Sequence, residues 1–169
     1  VADPRPAGGS IFRIYRDTRF SKDKTPYKTN AGVHFRHEAG KDAHAPGIYL
    51  HFEPGGGFGG GGIWHPDSAT VLKIRNAIVE RSIKWRAMIA DSQILARHEF
   101  GGASLKCAPR GFDPEHPLIE DLKKKDHFVH TNYSEDEATS PDFIDRFAAD
   151  VATVSPYLRF LTEAVGLPY

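Results

Sequence analysis

Gly47-Ile48-Tyr49-Leu50-His51-Phe52-Glu53 alternates apolar and polar side chains, and its apolar positions are β-branched, aliphatic or aromatic. Period two over seven residues predicts a half-buried strand. The same alternation recurs upstream in Gly32-Val33-His34-Phe35-Arg36-His37 and in Ile11-Phe12-Arg13-Ile14-Tyr15-Arg16. Downstream, Gly62-Ile63-Trp64-His65 reads as a shorter strand and His127 to Tyr133 as one more. Successive strands of this kind, one face apolar and one polar, predict antiparallel pairing in a meander.

The pattern then changes period. Asp67 or Ser68 can cap a helix bearing Val71, Leu72, Ile74, Ile78 and Val79. Shorter helical stretches carry Ile83, Met88 and Ile89, then Ile94 and Leu95, then Leu118 to Lys125. Gly101 to Pro117 reads mostly as loop. Ser134 and Glu137 have capping-box spacing. Ser140 and Pro141 stand where an N-cap and first helical residue belong, before Phe143, Phe147, Val151, Val154, Leu158, Leu161 and Val165. Pro156 is expected to break or kink that run, and Gly166 to end it. Strands first and helices later define an α+β fold: an antiparallel β-meander of about four to five strands packed on C-terminal helices. One domain is expected to fill residues 1–169.

Composition agrees. The chain has 169 residues, 40% of them hydrophobic and 11% aromatic, enough for a core without disulfides or metals. Twenty-two cations balance 22 carboxylates, and a zero net charge speaks against a nucleic-acid or membrane-surface binder. Cys107 is the sole cysteine, which excludes an internal disulfide and points to a reducing, cytoplasmic setting. No apolar stretch is long enough to span a membrane. The opening Val1-Ala2-Asp3-Pro4-Arg5-Pro6 has neither Met nor a signal-peptide pattern, and reads as the interior of a longer, N-terminally shortened chain.

Alternation assigns two sheet faces. Phe12, Ile14, Val33, Phe35, Ile48, Leu50, Phe52 and Ile63 are expected to meet the helices. Arg13, Tyr15, His34, Arg36, Tyr49, His51, Glu53 and Trp64 point the other way. That second face is either a solvated or covered surface or a ligand site, and both readings stand at this stage. Parity places His34 opposite Tyr49 or His51. It also places His51 or Glu53 opposite Gly60, Gly62 or Trp64, where missing side chains would leave a hollow.

The remaining motifs are weak. The run Gly55 to Gly62, interrupted only by Phe58, matches a dinucleotide fingerprint trivially, but a strand rather than a helix follows it. It reads as a flexible lid or a bulged turn in a glycine-rich loop. Thr18 to Asn30 clusters Arg19, Lys22, Lys24 and Lys28 around Tyr27, types that grip phosphate or carboxylate when they do not merely face water. His34, His51 and Glu53 have the types of a two-histidine-one-carboxylate set but no ligand spacing, so no metal is assigned. Nor is a cofactor. Cys107 and Ser21 lack partners for nucleophilic chemistry.

Several longer strings carry a resemblance. They are Asp17 to Thr29 (D-T-R-F-S-K-D-K-T-P-Y-K-T), Gly47 to Gly57 (G-I-Y-L-H-F-E-P-G-G-G) and Gly61 to Pro66 (G-G-I-W-H-P). Leu105 to Asp113, His116 to Asp126 and Ser155 to Leu167 add to them. Together they resemble a conserved hypothetical family, domain of unknown function 2461, over nearly the whole chain. The resemblance implies a single domain with a helical region ahead of the first strand. It implies no activity and no site residues.

Two functional expectations follow from the residues. The first is a domain that binds an anionic small molecule or an acidic partner through Arg13, Lys22, Lys24, Tyr27, Lys28, His34, Arg36, Tyr49 and His51. The alternative is an enzyme on an anionic substrate, with His51 or Glu53 as general acid or base. Contact with RNA or another single strand through Tyr27, Tyr49, Trp64 and the basic loop is a third, weaker reading.

Overall fold

A computed structural model describes residues 2–5, 8–38 and 45–169. His44, read from the sequence as an ordinary histidine, lies outside the described residues. The strands are β1 (Ala31–Phe35), β2 (Gly47–Glu53), β3 (Gly56–Ile63), β4 (Glu99–Gly101) and β5 (His127–Ser134). The helices are α1 (Ser68–Glu80), α2 (Ser82–Ile89), α3 (Ser92–Leu95), α4 (Ile119–Leu122), α5 (Glu135–Thr139) and α6 (Phe143–Val165). The sheet is antiparallel throughout, in the order β1-β2-β3-β5-β4, with the helices on one face. This is the expected α+β architecture. No helix is long and apolar enough to cross a membrane among the described residues.

The glycine run is not a lid or a bulged turn. It is β3, the central strand, entered from β2 through the two-residue turn Pro54–Gly55 with Gly55 at φ 95°. Glycine has little preference for strands, so the run reads as loop from sequence alone. What holds it in the ladder is its surroundings. A methyl group on Gly59 would lie 2.6 Å from Phe147 Cε2, and one on Gly61 2.8 Å from Leu158 Cδ2. Both partners belong to α6, so the missing side chains let that helix sit directly on the backbone of β3. Gly56 and Gly62 hold φ 147° and 143°, where side-chain-bearing residues are strained.

Two clusters flank this contact. The larger joins Ile63 and Val129 of the sheet to Ile74, Ile78, Trp85, Leu158, Phe160 and Leu161. The smaller packs Leu50 and Tyr133 on Phe143 and Phe147. Asp67 caps α1, its side chain accepting from Thr70 N at 2.7 Å, and Ser134 with Glu137 forms the expected capping box for α5.

Several local expectations need correction. Ile11–Arg16 is not a ladder strand. It makes only isolated bridges, Ile11 with Val33 and Tyr15 with Tyr27, because residues 14–16 leave the sheet edge to pair with 26–28. Phe12 therefore does not meet the helices; its ring lies against His34 and Tyr49 on the opposite face. Glu99–Gly101 forms the short edge strand β4, which has too few residues to show a period. α6 starts at Phe143, two residues after Pro141, and Pro156 does not break it. Pro156 and Ala152 are both exposed, so the carbonyl that Pro156 cannot pair faces water.

His127 is fully buried in the larger cluster, its ring edge-on to Trp85, and neither ring nitrogen has a partner among the described residues. Burial, with Lys124 and Arg75 nearby, pushes its pKa down to about 4. The unfolded chain takes up this proton near pH 6.5, whereas the folded core refuses it until about pH 4. Stability therefore falls across that window as pH drops.

Two outcomes are expected. Gly59→Ala should lower the unfolding free energy by roughly 1–3 kcal/mol in a denaturant titration. Phe147→Leu in the same chain should restore part of that loss. For His127→Leu, the stability difference from the parent should grow in the variant's favour by roughly 3 kcal/mol between pH 6.5 and pH 4. A parallel pH profile for the two proteins would refute the assignment.

Candidate functional site

The sheet register lays out the face away from the helices. His34, Tyr49, Gly60, His130 and Glu99 form one row across all five strands. Gly32, His51, Phe58 and Asn132 form the next, and Gly47, Gly62, Phe128 and Gly101 a third. Rings lie down over neighbouring glycines. A methyl group on Gly32 would stand 2.7 Å from the Tyr49 hydroxyl, one on Gly47 would strike His34 Nε2, and one on Gly101 would strike the Phe128 ring. The result is a flat layer of imidazoles and aromatics in which glycine supplies the room.

His51 is the centre of this layer. Its ring stacks on Phe58, with centroids 4.8 Å apart and planes 16° apart. Nδ1 lies 3.1 Å from the Tyr49 hydroxyl and 3.3 Å from Asn30 Nδ2, while Nε2 lies 3.5 Å from Glu53 Oε2. The Asn30 amide and the Tyr49 hydroxyl can both donate to Nδ1. That assigns the ring proton to Nε2, facing the Glu53 carboxylate. Burial raises the Tyr49 pKa, so the phenol is held in its protonated, donating form. Burial, followed by the Arg36 charge, lowers that of His34.

His51 or Glu53 was expected opposite Gly60, Gly62 or Trp64, and neither is. Phe58 stands opposite His51 and Gly56 opposite Glu53, while Gly60 lies between Tyr49 and His130 with the β5 backbone against its Cα. His34 does pair with Tyr49, one of its two expected partners.

The predicted residues divide into two groups. His34, Tyr49, His51 and Glu53 come together, and Phe12 brings Lys28 towards them, with Nζ 5.8 Å from its ring centroid. Arg36 and His34 also line a shallow cavity of about 600 Å³ with Ser10, Gly9 and Arg5. Arg13, Lys22, Lys24 and Tyr27 stay apart and exposed on the hairpin beyond the sheet edge. That loop is internally tied: Arg16 pairs with Asp23, Arg19 with Asp17 at 2.7 Å, and Lys24 Nζ donates to Thr18 O at 2.8 Å. Among the described residues, no three His, Cys, Asp or Glu side chains are grouped to hold a metal ion.

Asn30, Phe12, Phe58, Phe128 and His130 join this face without having been expected there. Parity along His127–Ser134 is the signal that could have placed Phe128 and His130, since Val129, Thr131 and Tyr133 are buried. A separate ion-pair network around the buried Asp150 reads as structural. Asp150 accepts from Arg97 Nε at 3.0 Å and from the Tyr133 hydroxyl at 2.7 Å, and Arg97 continues to Glu137. Similarly, the buried Asp126 accepts from the backbone N–H groups of His65 and Ala103, which pins His65 at φ 51° beside the exposed Trp64.

Fold and face together define a single-sheet α+β protein whose face away from the helices is built of histidine, tyrosine and phenylalanine over glycine. The chain belongs to the conserved hypothetical protein family DUF2461, whose family model matches residues 1–160. No curated protein and no solved structure matches it.

An NMR titration should find the His34 ring changing charge at a lower pH than an exposed histidine. Arg36→Gln should raise that midpoint without normalising it, because burial is the larger cause. A midpoint at or above that of an exposed histidine would contradict the described environment.

Proposed function

We propose that this protein binds an anionic small molecule on the face carrying His34, Tyr49 and His51, in a cytoplasmic setting. The observation that supports it is the convergence, beside the hydrogen-bonded His51 and Tyr49 rings, of two further donors: the second N–H of the Asn30 amide and, across Phe12, the Lys28 ammonium. Such donors suit carboxylate or phosphate oxygens, and the adjoining rings supply apolar contact for the rest of a small ligand. An acidic peptide segment would meet the same groups.

A second reading, an enzyme, draws on one observation. Tyr49 hydroxyl, His51 and Glu53 form a chain in which a carboxylate orients an imidazole whose other nitrogen meets a hydroxyl. That order of acid, base and orienting group is the arrangement used for proton transfer. The anionic ligand would then be a substrate, with His51 moving the proton.

A thermal-shift screen of carboxylates and phosphate esters tests both readings. A hit should weaken about tenfold or more in His51→Ala and in Lys28→Ala, as expected when a charge-assisted hydrogen bond is lost. If a ligand is found and neither substitution weakens it, the proposed site is wrong. Glu53→Gln separates the two readings: it should leave binding intact and abolish turnover only if the protein is an enzyme.

A further inference from the structure

Zero net charge conceals a sharp segregation. Between Arg13 and Lys28 stand six cations (Arg13, Arg16, Arg19, Lys22, Lys24 and Lys28) and only two carboxylates (Asp17 and Asp23). The rest of the chain therefore carries the opposite excess. The structure gathers these cations on one hairpin that leaves the sheet edge, closed by Arg16 N to Pro26 O at 3.0 Å and Lys28 N to Ile14 O at 2.8 Å. Its tip is held by Asp17 on Arg19 and by Asp23 on Arg16 and Thr25 N.

The same hairpin displays aromatic rings to solvent. Tyr15 is 57% exposed, Tyr27 54% and Phe20 95%. Tyr15 and Tyr27 stand side by side, with centroids 5.6 Å apart and planes 31° apart, where the strands bridge. The Arg19 guanidinium lies 5.8 Å from the Phe20 ring centroid. Exposed rings of this kind have no role in the core and none in the layer around His51.

We infer that the Arg13–Lys28 hairpin is a docking element for single-stranded nucleic acid. Cations interleaved with exposed rings are the pattern that holds a strand without reading its sequence: the charges meet phosphates and the rings stack with unpaired bases. A duplex keeps its bases stacked on one another and offers nothing to Tyr15, Tyr27 and Phe20. A lipid surface is matched less well, since only Phe20 sits in the loop while the tyrosine pair lies at the stem. The negative excess of the remaining chain repels a polyanion elsewhere and so orients it onto the hairpin. Apart from Lys28, which reaches towards the His51 face across Phe12, this surface is distinct from that face, and the tests of the two proposals use different residues of each.

Fluorescence anisotropy with a labelled oligothymidylate, titrated with the full 169-residue chain, tests the inference. Binding should weaken with salt, with a slope of log K on log salt of about −2 for three phosphate contacts. Tyr27→Ala and Phe20→Ala should each weaken binding about tenfold and leave that slope unchanged. Lys22→Glu with Lys24→Glu should flatten the slope, whereas His51→Ala should change nothing. All of these positions except His51 lie outside the core, and an unchanged Tm verifies the fold of each variant. Absence of binding at low salt overturns the inference. So does salt-sensitive binding indifferent to Tyr27 and Phe20, which would be bare charge attraction. Capture by phosphatidylserine vesicles but not by the oligonucleotide would overturn it in favour of a membrane.

Discussion

Everything in this fold depends on how closely α6 approaches β3. Phe147 and Leu158 rest where the side chains of residues 59 and 61 would otherwise stand. A helix normally packs about 10 Å from a sheet, held off by side chains on both. Here one partner contributes almost none, so the helix supplies nearly all the side-chain volume at the contact. The helix in turn orders both core clusters: its first half closes over Leu50 and Tyr133, and its second half over Trp85 and Val129. Because β3 is central, the same contact sets the level from which β2 and β5 extend their ladders on either side.

The opposite face also depends on glycine, here mostly on glycines of β1, β2 and β4. Tyr49, His34 and Phe128 can lie down because Gly32, Gly47 and Gly101 stand beside them, and His51 stacks on the one ring that β3 provides. Glycine thus serves the two faces differently. Towards α6 it admits a neighbouring element, and away from α6 it admits neighbouring rings. The chemistry of the candidate site is consequently carried by β1, β2 and β5, with β3 acting as their floor.

Much of this was legible in the sequence, and for identifiable reasons. The alternation in Gly47–Glu53 named both the strand and its two faces, and it put Tyr49, His51 and Glu53 on one side. The capping signals at Asp67 and Ser134 marked helix starts through hydrogen bonds that need only local spacing. Long-range effects were not legible. Six of the eight residues 56–63 are glycine, with little strand preference, and the segment becomes a strand because β2, β5 and α6 surround it. Phe12 changes face because the chain peels away after one bridge, an event decided by pairing with residues 26–28. Pro156 survives inside α6 because it faces water, off the apolar stripe of that helix. The expected union of the whole basic loop with the His51 face was a matter of distance between elements, and only Lys28 makes that connection, through Phe12.

The placement of β3 also bears on the order of folding. Its two ladder partners come from very different distances along the chain. β2 is joined to it by a two-residue turn, while β5 begins more than sixty residues after β3 ends, with four helices between. The three-strand meander can therefore form early, but it must wait with an unpaired central edge until the remainder of the chain closes a long loop. An exposed edge of that kind is usually a template for association with other chains. A nascent edge that is nearly all glycine has low strand preference and almost no apolar side chain to offer a stranger. The feature that draws α6 onto the finished sheet is thus also one that keeps the unfinished sheet from recruiting the wrong partner.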